Sequence, residues 1–139
     1  MSFTNMTVTQ VGSYEVSSRR WLRGPHGTEN GMMPSIPLDL TTFTGANFAN
    51  GIVKDGCVLG QITASKKYGP YDPAATDGRQ TAVGFLWNTG TFPADRTQLA
   101  SDALYRHGAV VTAFLPYQSG IGALDAAART ALSPRVFLD

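Results

Sequence analysis

Residues 56–87 run Gly56-Cys-Val-Leu-Gly-Gln-Ile-Thr-Ala-Ser-Lys-Lys-Tyr-Gly-Pro-Tyr-Asp-Pro-Ala-Ala-Thr-Asp-Gly-Arg-Gln-Thr-Ala-Val-Gly-Phe-Leu-Trp87. Val58, Gly60, Ile62 and Ala64 alternate with Cys57, Leu59, Gln61 and Thr63, the period-two pattern of a strand with one buried face. Ala82, Gly84 and Leu86 alternate with Val83, Phe85 and Trp87 in the same way. Between these runs, Gly69-Pro70, Asp72-Pro73 and Asp77-Gly78 are turn signals. Proline presets φ, glycine permits positive φ, and aspartate bonds its own backbone.

The rest of the chain is consistent with a β-rich fold. With 139 residues it is one domain by length. A hydrophobic fraction of 42% and a charged fraction of 15% describe a folded chain with a weakly charged surface. Fifteen glycines and eight prolines imply many turns. A net charge of +1 argues against nucleic acid as a direct partner, since phosphate binding needs a basic face. No apolar run reaches the roughly 20 residues of a membrane helix, and the first residues lack a signal-peptide pattern. A protein made in the cytoplasm, with no membrane partner, is the expectation. Cys57 is the one cysteine, which excludes an intrachain disulfide and favours a small buried hydrophobe.

Residues 1–35 look like an extended arm and residues 36–139 like the β domain. Val8, Val11, Tyr14 and Val16 lie among Thr, Ser, Gln and Glu. They are followed by Arg19-Arg20-Trp21-Leu22-Arg23 and a turn-dense stretch. Ile36 to Leu40 reads as a short strand, with Pro37 suggesting a sheet edge. After Trp87 the chain is polar as far as Ser101, and Phe92 to Tyr105 reads as a surface loop. Ala109 to Leu115 is a buried strand stopped by Pro116. Gly120-Ile121-Gly122 opens the one expected helix, with Leu124, Ala128, Ala131 and Leu132 on its apolar face and Ser133-Pro134 ending it. Asp125 and Arg129 are spaced as a helical ion pair. A short strand or tail over 135–138 would pack beside the helix.

Reactive constellations are sparse. His26 and His107 are the two histidines, and metal or acid–base work would have to recruit badly spaced carboxylates. Asp72 and Asp77 bracket a turn-rich stretch without the alternating oxygen ligands of a calcium loop, so they read as turn formers. Gly120-Ile121-Gly122 is a weak phosphate-loop match. Catalytic residues, metal ligands and cofactors are therefore not expected. Tyr68, Tyr71 and Trp87 form either a stacking surface for a sugar or loop anchors.

The run Val58-Leu-Gly-Gln-Ile-Thr-Ala64, with Lys67-Tyr68 and Tyr71-Asp-Pro-Ala-Ala-Thr-Asp-Gly-Arg-Gln-Thr-Ala-Val-Gly84, resembles the head-decoration proteins of lambda-like tailed bacteriophages. In this motif Gly60, Tyr71, Asp72, Pro73, Asp77, Gly78 and Gly84 are structural candidates. The resemblance implies a compact, mainly β (α+β) barrel- or sandwich-like domain with one C-terminal helix and an extended N-terminal arm. It also implies a homotrimer at the three-fold positions of the expanded head, on the outer surface of the virion. There it would clamp the major capsid protein against internal DNA pressure. Read from the residues alone, the capsid contacts of such an arm would be Val8, Val11, Tyr14, Val16, Arg19, Arg20, Trp21 and Leu22. Trp21 either anchors the arm on the shell or packs on its own subunit. Removal of residues 2–23 should then leave a folded protein that no longer binds capsids. The alternative role is a virion-surface carbohydrate- or receptor-binding module.

Overall fold

The computed structural model describes residues 17–29, 31–49, 51–93 and 95–139. Val8, Val11, Tyr14 and Val16 lie outside these described residues. Among the described residues the strands are β1 (Ser35–Leu38), β2 (Ile52–Val53), β3 (Val58–Gln61), β4 (Tyr68–Pro70), β5 (Ala82–Leu86), β6 (Gly90–Thr91), β7 (Ala100–Tyr105), β8 (Gly108–Val110) and β9 (Val136–Leu138). One α-helix, α1 (Ala126–Leu132), precedes β9. The fold is mainly β with a single C-terminal helix. Five strands close a barrel in the order β1-β4-β3-β5-β7, while β2 pairs with β6 and β8 with β9.

The expected strands at the two ends of residues 56–87 pair directly, β3 antiparallel to β5, with Val58 opposite Phe85 and Leu59 opposite Gly84. The register shifts between Leu59 and Gly60, so Gly60 meets Ala82 and β5 carries one extra residue. Such a bulge sharpens the local twist and helps a small sheet curl shut.

Alternation in these strands feeds two cores, not one buried face and one wet one. Leu59, Leu86 and Leu104 point into a core with Ile36, Leu38, Phe43, Phe48 and Phe92. Their neighbours Val58, Phe85 and Tyr105 point the other way, into a core with Trp21, Tyr71, Val110, Ala128, Leu132 and Val136. A strand residue and its successor emerge on opposite faces, so a wall covered on both sides needs apolar residues at both phases.

Five sequence expectations are corrected. Residues 92–105 are not simply a surface loop, because β7 closes the barrel between β1 and β5. Gly69-Pro70 does not turn the chain but ends β4, where Leu59 faces Pro70 and Gly60 faces Gly69. Pro37 is not on a sheet edge, since β1 lies between β4 and β7. The Leu104 N–H donates to the Pro34 carbonyl, which phases the β1–β7 ladder so that Pro37 owes β7 no donor. On the other side β1 meets β4 only at Leu38 opposite Tyr68, so the missing N–H breaks no bond there.

The fourth correction shortens the helix. Gly120 and Gly122 have φ of +82° and +87°, which no α-helix accommodates. The helix starts after Asp125, whose carboxylate caps it by accepting from the Ala128 N–H at 2.8 Å. Arg129 is turned toward the Thr112 hydroxyl at 3.2 Å. The stretch expected as a strand over 109–115 is split: β8 ends at Val110, and a 3-10 turn occupies Thr112–Phe114.

Candidate functional site

Ser17 to Arg23 is bound to the body along its length, and Trp21 is its centre. The Trp21 side chain is 1% exposed and lies against the rings of Phe85, Tyr105 and Trp87, with centroids 5.5 to 6.1 Å away. Its indole N–H donates to the buried Asp55 carboxylate at 2.8 Å. The same carboxylate accepts from the Arg19 N–H at 3.0 Å and the Thr89 hydroxyl at 2.7 Å. A buried carboxylate is tolerated only when its lone pairs are filled in this way. Gly56 makes room for the indole: at φ +91° it is suited to glycine, and a Cβ there would stand 2.8 Å from the indole nitrogen.

The backbone then joins the small sheet. Leu22 bridges Val110 in the antiparallel sense, Val111 N–H donates to the Trp21 carbonyl, and Arg23 N–H donates to that of Ala109. Arg23 also pairs with Asp139. The Arg19 guanidinium lies over Trp87, 4.1 Å from the ring centroid, and donates to the Trp87 carbonyl at 3.0 Å. Arg20 is exposed and stacks over Phe114 at 4.7 Å.

Of the two readings of Trp21, these contacts match packing on its own subunit. Its side chain is already spent inside its own subunit, and Leu22 is half-buried beside it. The arm boundary expected at residue 35 falls within chain that is seated on the body. Of Arg19, Arg20, Trp21 and Leu22, Arg20 is the residue classed as exposed.

The motif residues of 56–87 shape the body. A Cβ on Gly60 would stand 2.7 Å from the Arg79 Cα, and one on Gly84 2.7 Å from both the Leu104 side chain and the Tyr105 carbonyl. Gly78, at φ +119°, lies so close to β3 that a Cβ would reach the Gln61 carbonyl at 2.3 Å. Asp72 accepts from the Ala74 N–H at 3.0 Å and Asp77 from that of Arg79 at 3.1 Å, each bonding two residues ahead. Pro73 sits exposed at the tip of the first of these turns. The excursion is thus folded back on the barrel wall, not projected from it.

Tyr71 is fully buried, and its hydroxyl donates to the Asp125 carboxylate at 2.8 Å, linking the excursion to the start of α1. Burial, reinforced by the adjacent Asp125 charge, pushes its phenol up to about 12. Tyr71 therefore cannot contribute a face to a sugar-stacking surface, and Tyr68 packs partly against the other core. The carbohydrate-platform reading loses its central residue. Cys57 is also fully buried, and desolvation alone raises its thiol far above the ordinary value.

Among the described residues, no buried side-chain nitrogen or oxygen lacks a partner. The exposed large apolar side chains are Leu99, Phe114 and Phe137. Sequence reasoning missed the Trp21–Asp55 bond. The one available signal was Lys54-Asp55-Gly56, where a glycine follows an acid that could be buried.

A family model described as Bacteriophage lambda head decoration protein D matches residues 40–135. No curated protein and no solved structure matches the chain. The family match covers more than half of the chain and spans β2 to the end of α1, including every motif residue described above. The chain belongs to the bacteriophage lambda head decoration protein family.

Proposed function

We propose that this protein is a cement subunit of a phage head, held on the outer surface of the shell by the major capsid protein. The family match over residues 40–135 is the observation that carries this reading. The described body is compatible with it: Asp55 is engaged with Trp21, Asp72 and Asp77 in turns, and Asp125 in the helix cap. Adhesion requires no group to react.

The arm in this reading lies within residues 1–35, ahead of the segment that Trp21 seats on the body. Val8, Val11, Tyr14 and Val16 supply its apolar contacts, as in an extended segment that adds to a sheet edge. Arg20 contributes an exposed cation next to the junction. A homotrimer at three-fold positions of the expanded shell presents three arms together. The second and third attachments are then intramolecular, which raises overall affinity about 10²–10⁴-fold. The clamped shell resists pressure from packaged DNA. No direct nucleic-acid contact, membrane, cofactor or catalysis is part of this role.

The test mixes purified protein with expanded capsids stripped of their native decoration and measures co-sedimentation, with light scattering for oligomeric state. Saturable binding as trimers is expected. Protein that stays in the supernatant overturns the assignment. Removal of residues 2–16 should abolish binding while leaving the Trp21 core intact. Removal through residue 23 would confound the test, because it cuts into that core.

A further inference from the structure

The chain's two histidines are 81 residues apart, yet their Nε2 atoms lie 2.9 Å from each other. Each is followed by glycine, and both glycines are required by the approach. Gly27, at φ +90°, sits where a Cβ would fall 1.6 Å from the His107 carbonyl oxygen. Gly108, at φ +140°, sits where a Cβ would fall 2.4 Å from the His26 carbonyl oxygen. The Tyr105 hydroxyl donates to that same His26 carbonyl at 3.0 Å. Two His-Gly units are therefore docked backbone to backbone, and the imidazoles are held together by the fold.

A third group orients the pair. The Glu29 carboxylate lies 3.5 Å from His26 Nδ1 and accepts from the Gly27 N–H at 2.7 Å. At this ion-pair distance the carboxylate stands beside the second ring nitrogen of His26, the side on which metal-ligating histidines are commonly supported. The His26 side chain is 65% exposed, which leaves room for a hydrated ion to approach.

We propose that His26 and His107 bind a divalent cation of the copper(II) class, as two neighbouring ligands of a tetragonal coordination sphere completed by water. Metal–imidazole bonds of about 2.0 Å place neighbouring ligands about 2.8 Å apart at a right angle, against about 3.3 Å in a tetrahedron. The observed 2.9 Å fits the right angle. Copper(II) also heads the affinity order for nitrogen sites. Among the described residues no group of three or more His, Cys, Asp or Glu side chains is placed to hold a metal ion, so this site has two protein ligands. Binding uses both Nε2 lone pairs, so the proton shared between the rings moves to the Nδ1 of the ring that carries it, and a neutral pair releases none.

The test titrates copper(II) into the untagged full chain and records the paramagnetic resonance spectrum and the melting temperature. One ion per chain, with splitting from two imidazole nitrogens, is expected. The melting temperature should rise, because the site exists only in the folded chain. His26→Ala and His107→Ala should each weaken binding by about 10-fold or more, and Glu29→Gln by about 10-fold. A spectrum showing a single imidazole, or copper affinity that survives His26→Ala/His107→Ala, overturns the proposal and leaves a plain inter-imidazole hydrogen bond. The resonance spectrum decides the matter on the unaltered chain should either alanine variant fail to fold. Capsid binding plays no part in this readout, so the site and the cement function stand or fall separately.

Discussion

The two cores draw on different lengths of chain. The core around Phe43, Phe48, Leu59, Leu86 and Phe92 is assembled from residues between Ile36 and Ala123. The core on the other face of the same wall takes Trp21 from one end of the described chain and Val136 from the other. The first is a barrel filling; the second is a clasp on the two chain ends. A pull on residues 1–16 would therefore pass through Trp21 into the wall made by β3, β5 and β7. In the proposed cement role, that arrangement would spread the load on the arm over the body.

The sharpest way to break this contrast is to empty the clasp. Trp21→Ala should cost about 3–5 kcal/mol, because it removes the largest buried side chain and one donor from the Asp55 carboxylate. Urea unfolding measures the loss. Phe43→Ala should cost about as much through the other core. Limited proteolysis separates the two: cleavage before residue 24 should increase in Trp21→Ala and not in Phe43→Ala. Equal cleavage in both would mean that the cores do not act separately.

The wall between the cores gives the next effect. Gly60→Ala places a methyl group against Arg79 main chain, which cannot swing aside as a side-chain tip could. A loss of about 1–3 kcal/mol is expected, read as a lower urea midpoint at unchanged slope. No loss would show that the excursion over 63–81 is free to lift from β3.

Tyr71→Phe tests how the clasp is tied to α1. Loss of the hydroxyl bond to Asp125 should cost about 1–2 kcal/mol at neutral pH. Its alkaline behaviour carries a second signature. The folded phenol titrates near 12 where an ordinary one titrates near 10, so between these values the native state keeps a proton that the unfolded chain has lost. Stability should fall as pH rises through that window. Tyr71→Phe should flatten the decline, and an unchanged slope would place the effect on another group. The smallest effects belong to Leu99→Ser and Phe137→Ser, each within about 0.5 kcal/mol for the isolated subunit. Their side chains are 92% and 77% exposed and fill neither core.

Legibility in the sequence followed the range of the interaction. The strands β3 and β5, the turn-forming Asp72 and Asp77, and the apolar positions Ala128 and Leu132 were each readable from neighbours within a few residues. The strand β7 was not: Ala-Ser-Asp-Ala-Leu-Tyr carries no β-branched residue and becomes a strand because β1 and β5 leave a gap for it. Pro37 pointed to an edge because its local signal cannot show that β4 begins too late to miss its N–H. Trp21 was readable as an aromatic in a basic cluster, but not as the partner of Asp55, 34 residues away. The histidines carried a faint local mark, the glycine after each, with no means of showing that the two units meet.

Short-range chemistry, meaning φ preferences, side-chain alternation and aspartate-to-backbone bonds, was enough to set the β-rich class and the motif that marks the family. Closure of the barrel, the division into two cores, the burial of Trp21 and the meeting of His26 with His107 were settled by packing between distant segments. Their free energy comes from excluding water between surfaces that exist only once the wall has formed, so no window of neighbouring residues contains it.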